Sequence, residues 1–220
     1  MNKKTNIALF LLISSLAFAD IQVGSIKKEK TSADYSYKIV MPNLKLNGKE
    51  MKDVNGAFEN EALTLMKKTA FEGEELKKIG SSAKAETVMD FKKYENDFGV
   101  TSLVTDCYSY TGGANGMTVL NSYNLDERNG KILLFSDVFI ESAKPSFEKG
   151  ILQTIRNNKS GKYLTDLKNV NLDDAVMYFE GDYIVFKFQK YTIAPGSAGN
   201  PAFRYKKDAV KDFIKYDFEK

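Results

Sequence analysis

The stretch from Phe98 to Leu125, FGVTSLVTDCYSYTGGANGMTVLNSYNL, decides the fold. Phe98 to Tyr110 alternates as a strand does, Tyr110-Thr-Gly-Gly-Ala-Asn-Gly116 is a glycine-rich turn, and Met117, Val119, Asn121, Tyr123 and Leu125 alternate again. Strand, glycine turn and strand together predict an antiparallel pair. Glycines are retained where the backbone needs positive φ or where another group must approach closely, and Gly113 is one candidate for positive φ.

Upstream, Lys84 to Glu95 puts Ala85, Thr87, Met89 and Phe91 on one face and joins the first strand at Asn96-Asp97, a hairpin signal. The chain before it opens with a second hairpin, Ile21 to Glu29, turning at Thr31 to Asp34 into Tyr35, Tyr37, Ile39 and Met41. Between the hairpins, Val54, Phe58, Ala62, Leu65 and Met66 recur at helical spacing from about Lys49, with Lys77 and Lys78 near a stop at Gly80 and Gly73 placed to break the helix in two.

Downstream, Asn129-Gly130 turns the chain into Lys131 to Phe135, extending a sheet read as antiparallel. Phe147, Ile151, Leu152 and Ile155 form the apolar face of a helix from Lys144 to about Asn158, with Pro145 in its first turn. Ala175 to Phe179 and Tyr183 to Lys190 make a hairpin around Glu180-Gly-Asp182, followed by a second glycine turn, Tyr191-Thr-Ile-Ala-Pro-Gly-Ser-Ala-Gly199, and a last strand near Phe203 to Tyr205. Segregated strands and helices predict an α+β fold of antiparallel sheets with two main helices, in two intimately packed halves.

Lys3 and Lys4, the apolar run Ile7 to Leu16 and Ala17-Phe-Ala19 form a secretory signal over residues 1–19, with cleavage near Ala19 and an exported, periplasmic or secreted product. No later run approaches the roughly 20 apolar residues of a membrane span. Without Lys3 and Lys4 the chain carries 30 basic and 29 acidic residues, a balance of +1 that argues against nucleic acid as a partner. A hydrophobic content of 43% suffices for an ordinary core, which the single cysteine makes necessary, because no internal disulfide can form.

With no histidine in the chain, Ser-His-Asp and Cys-His mechanisms and histidine-bearing zinc sites are excluded. Cys107 lies mid-strand and reads as a small buried hydrophobe. Asp126 to Gly130 lacks the alternating oxygen ligands of a calcium loop and reads as a hairpin turn. No metal, cofactor or catalytic residue is assigned. The binding candidates cluster at the two turns: Tyr108, Tyr110, Gly112, Gly113, Asn115, Gly116, Tyr123, Tyr191, Pro195 and Gly199. Their tyrosines suit stacking on sugars or a protein hot spot, with core packing as the alternative.

Nearly all of the chain after residue 19 resembles the RsiV-like extracytoplasmic family. Tyr110 to Gly116 is similar to its Tyr-x-Gly-Gly-Ala-His-Gly signature, Leu134-Phe-Ser-Asp-Val-Phe139 to its Leu-x-Asp-Leu-Phe motif, Tyr178-Phe-Glu-Gly-Asp to its late hairpin, and Tyr191 to Gly199 to its Tyr-x-Ile-Ala-Pro-Tyr-Ala-Ala-Gly turn. The first half also resembles the non-catalytic N-terminal domain of PdaC-like peptidoglycan deacetylases. The resemblance implies two fused α+β halves, residues 20–118 and 119–220, with the glycine turns near their junction. It further implies recognition of lysozyme, the ligand of the anti-sigma-V factor. Asn115 stands where the signature has histidine and Gly196 where the second turn has tyrosine. The resemblance does not extend to the sensor's membrane span or sigma-binding segment, and implies no anti-sigma activity.

Three functions fit this reading. The first is an exported, non-catalytic binding module of the cell envelope that recognises a protein such as lysozyme, or a peptidoglycan component, through the two turns. The second is an envelope hydrolase acting on peptidoglycan through a carboxylate pair, and the third is a structural envelope protein without a small ligand.

Overall fold

The computed structural model describes residues 20–164 and 166–218. The export signal expected over residues 1–19 lies outside the described residues. Among the described residues nine strands form two sheets: β1 (Ile21–Thr31), β2 (Tyr35–Leu46), β3 (Lys49–Glu50), β4 (Ala85–Tyr94), β5 (Val100–Tyr110) and β6 (Met117–Asp126) in the first, β7 (Ala175–Glu180), β8 (Tyr183–Phe188) and β9 (Ala202–Lys206) in the second. The helices are α1 (Lys52–Lys78), α2 (Phe135–Val138) and α3 (Ala143–Asn157). The α+β class is that of the sequence reading.

The first sheet runs β1-β2-β4-β5-β6, with β3 beside β2, and the second β7-β8-β9. One pair departs from the antiparallel expectation: β2 and β4 are parallel, Tyr35 opposite Ala85 and Ile39 opposite Met89. The connection between them contains α1, and a crossover of this kind delivers the next strand in the same direction. Nor does Gly73 break α1, which runs unbroken from Lys52 to Lys78. There the glycine lets the helix touch the backbone of β2's entry: a Cβ on it would meet Asp34 O at 2.7 Å and Tyr35 Cβ at 2.9 Å. The helix starts later than expected because Lys49 and Glu50 pair with Leu46 and Lys45. Lys131 to Phe135 is not a strand either. A single bridge joins Ile132 to Leu125, and α2 begins at Phe135.

The layers are α1, first sheet, second sheet and α3. Phe58 and Ala62 of α1 pack with Ile39, Met41, Met89, Leu103, Cys107 and Leu125 in one core. On the other side of the molecule Phe147, Ile151 and Ile155 of α3 pack with Met177, Phe179, Ile184 and Phe186. Strand alternation supplies the layer between. Val104 and Leu120 leave the back of the first sheet to meet Val176, Tyr178 and Val185 on the back of the second. Each large apolar side chain fully removed from water contributes roughly 1.5–3 kcal/mol, so three such layers hold the two sheets without a disulfide.

Polar contacts fix how the sheets meet. At one end the two hairpin loops pair through backbone, Asp97 N donating to Gly181 O at 3.0 Å and Gly181 N to Glu95 O at 2.8 Å. In the middle, Ser102 and Asn124 bond to each other and to the backbone of β7. At the far end Gln189 bonds to Leu120. β6, which carries Asn124 and Leu120, runs across the expected 118/119 junction.

Candidate functional site

The two glycine turns emerge at the end of the molecule marked by the Gln189–Leu120 contact. The Gln189 carboxamide takes both backbone groups of Leu120, its Oε1 accepting from Leu120 N at 2.9 Å and its Nε2 donating to Leu120 O at 2.7 Å. Gly116 lies four residues before Leu120 along the strand, about 14 Å at ~3.4 Å per residue, and Tyr191 follows Gln189 by two positions.

The first turn has divided its glycines by task. Gly112 takes positive φ, +87°, and seats against the last turn of α1, where a Cβ would come 2.5 Å from Leu76 Cδ2. Gly113, the residue considered for positive φ from sequence, has neither positive φ nor a neighbour within 4 Å. Gly116 lies against the Tyr108 ring, leaving no room for a Cβ. Asn115 is exposed at the tip, and Tyr108 and Tyr110 are half-buried.

The second turn repeats the ring-on-glycine contact. Tyr191 sits at φ +71°, is 46% exposed, and lays its ring against Gly196, with Lys190 Nζ 5.2 Å from the ring centroid. Positive φ costs a tyrosine of order 1–3 kcal/mol, so its surroundings impose this conformation. Ile193 and Ala194 anchor the loop by burial, Leu164 N donates to Ile193 O at 3.1 Å, and Asn200 Nδ2 donates to Phe188 O at 2.9 Å. Pro195 is exposed beside the 3-10 turn Gly196–Ala198, which ends at Gly199 with φ +69°.

Tyr123 does not join these residues. It points beneath α1, donates to Glu61 Oε2 at 3.0 Å and packs edge-on against Phe58 with ring centroids 4.6 Å apart. Burial, reinforced by the Glu61 carboxylate, pushes its hydroxyl far above the ordinary tyrosine range. Its position on the odd-numbered face of β6 places it in the α1 core.

Cys107 and Asp126 are held in structural contacts. Cys107 is buried facing α1, and burial pushes its thiol up, against a weaker opposing hydrogen bond with Ser109. Asp126, its side chain 1% exposed, accepts from Arg128 N and Nε at 2.8 Å each, from Arg128 Nη2 at 2.8 Å, from Asn129 Nδ2 at 3.1 Å and from the Tyr216 hydroxyl. Burial alone would raise its pKa, but the Arg128 and Tyr216 hydrogen bonds overcome it and hold the carboxyl down at about 2. The Asp126 to Gly130 turn thereby clamps the C-terminal segment, since Arg128 Nη2 also donates to Asp217 O at 3.0 Å. Among the described residues no group of three or more histidine, cysteine, aspartate or glutamate side chains converges as a metal site.

Sequence reasoning missed two other features. Asp90 and Asp106 stand directly opposite each other on β4 and β5, exposed, in a groove that Lys92 and Lys187 also line. A cleft of about 470 Å³ opens between the edges of β6 and β7, lined by Ser122, Asn124, Leu133, Phe135, Met177, Phe186 and Lys144. It contains none of the ten candidates. Its residues come from β6, α2, α3, β7 and β8, so no local pattern announces it.

Residues 26–118 match the family model described as "Deacetylase PdaC", and residues 136–205 match the model described as "Protein of unknown function (DUF3298)". The peptidoglycan-N-acetylmuramic acid deacetylase PdaC of Bacillus subtilis (strain 168) is 25% identical over 144 residues, which are 59% of this chain and 29% of that protein. The chain thus aligns with under a third of that relative's length. A DUF3298 family protein of Pseudomonas aeruginosa PAO1 superposes with a TM-score of 0.55 at 17% identity, over 91% of this chain and 96% of that one. A DUF3298 family member from Bacteroides fragilis NCTC 9343 does so at 0.55 and 14% identity, over 90% and 94%. In sequence the chain is therefore similar to PdaC in its first half and to DUF3298 in its second, and in fold to DUF3298 proteins along nearly its whole length.

Proposed function

We propose that the chain is an exported, non-catalytic binding module of the cell envelope, whose two halves, residues 20–118 and 119–220, act as one unit. It recognises a protein, with lysozyme as the specific candidate, or a peptidoglycan component, through the surface bearing Tyr108, Tyr110, Asn115, Tyr191 and Pro195. The observation that carries this reading is Tyr191, a large aromatic kept exposed at a strained positive φ in the second of two turns built alike. Strain of this kind concentrates at ligand contacts. A non-catalytic role is supported by the absence of histidine, by the buried Cys107 thiol and by the engagement of Asp126. The likeness to a peptidoglycan deacetylase supports the envelope as the setting.

The test is calorimetric titration of residues 20–220 with a c-type lysozyme and, separately, with soluble peptidoglycan fragments, at moderate and high salt. Saturable, salt-resistant binding that Tyr191→Ala abolishes is expected with one of them. Absence of heat with both would leave a structural envelope role.

One observation favours a second reading, an envelope hydrolase. The cross-strand pair Asp90 and Asp106 has Cβ atoms roughly 5 Å apart, which leaves its carboxyl groups able to reach the spacing of retaining glycosidases. That reading requires release of peptidoglycan fragments that Asp106→Asn abolishes, and it fails if the wild-type chain releases none.

A further inference from the structure

β6 is an edge strand whose outward backbone groups are taken at Leu120 and, in part or whole, at Asn124 and Asp126, and left open at Ser122 between them. In an antiparallel ladder alternate residues turn both N–H and C=O away from the partner strand. On β6 these are the even-numbered positions. Leu120 is taken by the Gln189 carboxamide, Asn124 O accepts from Leu133 N at 2.7 Å, and Asp126 N donates to Lys131 O at 2.9 Å. Between them, Ser122 has no hydrogen bond on this side among the described residues. It lines the 470 Å³ cleft together with Ala175 and Met177 of the β7 edge and Phe186 of β8.

We propose that this cleft binds an extended peptide segment, one residue of which pairs with Ser122 as a one-residue addition to the sheet. Leu120 shows how the position is filled, because the Gln189 group that occupies it offers an acceptor and a donor on the same side. A peptide residue flanked by its own N–H and C=O offers the same two groups in extended conformation. The trans secondary amide of an N-acetyl sugar points donor and acceptor in opposite directions and satisfies only one of them. The occupant's neighbouring side chains face Met177, Phe186 and Leu133, which favours apolar residues there. Leu120, bonded through both backbone groups, and Asn124, whose carbonyl already accepts from Leu133 N, confine the pairing to Ser122. The 470 Å³ volume falls in the range of small-ligand sites and suits two or three residues.

The experiment is an amide-resolved NMR titration of residues 20–220 with acetyl-Val-Leu-Val-amide, with N-acetylglucosamine as the single-amide control. The expected result is a saturable downfield shift of the Ser122 amide proton, with neighbouring shifts at Ala175 and Met177, for the peptide alone. Ser122→Pro removes the outward N–H while sparing the ladder to β5, as proline is tolerated on edge strands, and is expected to weaken binding at least ~tenfold. Ala175→Phe, which fills the cleft without touching β6, is expected to do the same and serves where the proline variant does not fold. An unshifted Ser122 amide at millimolar peptide, an equal response to the sugar, or undiminished binding by Ala175→Phe would overturn the proposal.

Discussion

Asn124 joins the two sheets through Ser102: its Oδ1 accepts from the Ser102 hydroxyl at 2.6 Å, while its Nδ2 reaches across to Met177 O at 2.8 Å. Phe179 N in turn donates to Ser102 Oγ at 3.0 Å. Two outward backbone groups of β7, Met177 O and Phe179 N, are thus satisfied by side chains of the other sheet. Both residues are fully buried, so the groups they serve have no water to fall back on. Ser102→Ala is expected to cost ~1–3 kcal/mol, the penalty for stranding a buried N–H, and to lower the midpoint of a thermal or urea melt accordingly. An unchanged midpoint would mean that the Ser102 and Asn124 contacts add nothing to the apolar layer of Val104, Leu120, Val176, Tyr178 and Val185.

The elements were legible in the sequence because their periodicities are local. Phe58 and Ala62 marked the inner face of α1, and Phe147, Ile151 and Ile155 that of α3. The joining of the sheets was not legible, because Ser102 and Asn124 sit at positions where an alternating strand ordinarily meets solvent. Only the arrival of β7, more than fifty residues later in the chain, turns them inward. The parallel step from β2 to β4 was missed for a related reason, since strand direction depends on the path of α1. Of the candidate residues, the turn glycines were found by their chemistry, but which glycine takes positive φ depends on where Leu76 and Tyr108 lie. Tyr123 was misplaced because alternation fixes a face and not which helix covers it.

Asp126 makes stability depend on pH. Its folded pKa of about 2 lies below the ordinary 3.8, so the unfolded chain takes up its proton first as pH falls. The stabilisation is fully present above about pH 4 and is lost as pH falls through 2. By ~1.4 kcal/mol per pKa unit it amounts to roughly 2 kcal/mol, less whatever solvent screening removes on the Arg128 side. Urea melts from pH 6 down to pH 2 are expected to show this loss in the wild type and a shallower slope in Asp126→Asn. Parallel slopes would assign acid sensitivity to other carboxylates.

Gly73→Ala poses a contest of two effects. Within a helix alanine is favoured over glycine by about 1 kcal/mol. Here the added Cβ would stand 2.7 Å from a backbone oxygen, which yields only if α1 moves away from the start of β2. Overpacking of this kind costs ~1–3 kcal/mol, and a net loss of stability is expected. Gly113→Ala, with open space and no positive φ, is expected to stay within ~0.5 kcal/mol of wild type. Reversal of that order in thermal melts would mean that α1 and β2 do not meet as described.

Tyr191 offers the sharpest separation of binding from stability. Its ring is exposed and its backbone strained, so replacing it removes little packing and relieves the conformational cost. Asparagine tolerates the left-handed region without glycine's entropy in the unfolded chain. Tyr191→Asn is therefore expected to hold or raise stability, by up to ~1 kcal/mol, while abolishing the saturable binding proposed for the turns. Gly196→Ala probes the same contact from below. Its Cβ would displace the Tyr191 ring, the movable end of a side chain, so the melt is expected to stay close to wild type while affinity falls. A fall of several degrees in both variants would show that the ring supports the loop instead of meeting a ligand. Stable variants that bind as wild type does would move the interface away from this turn.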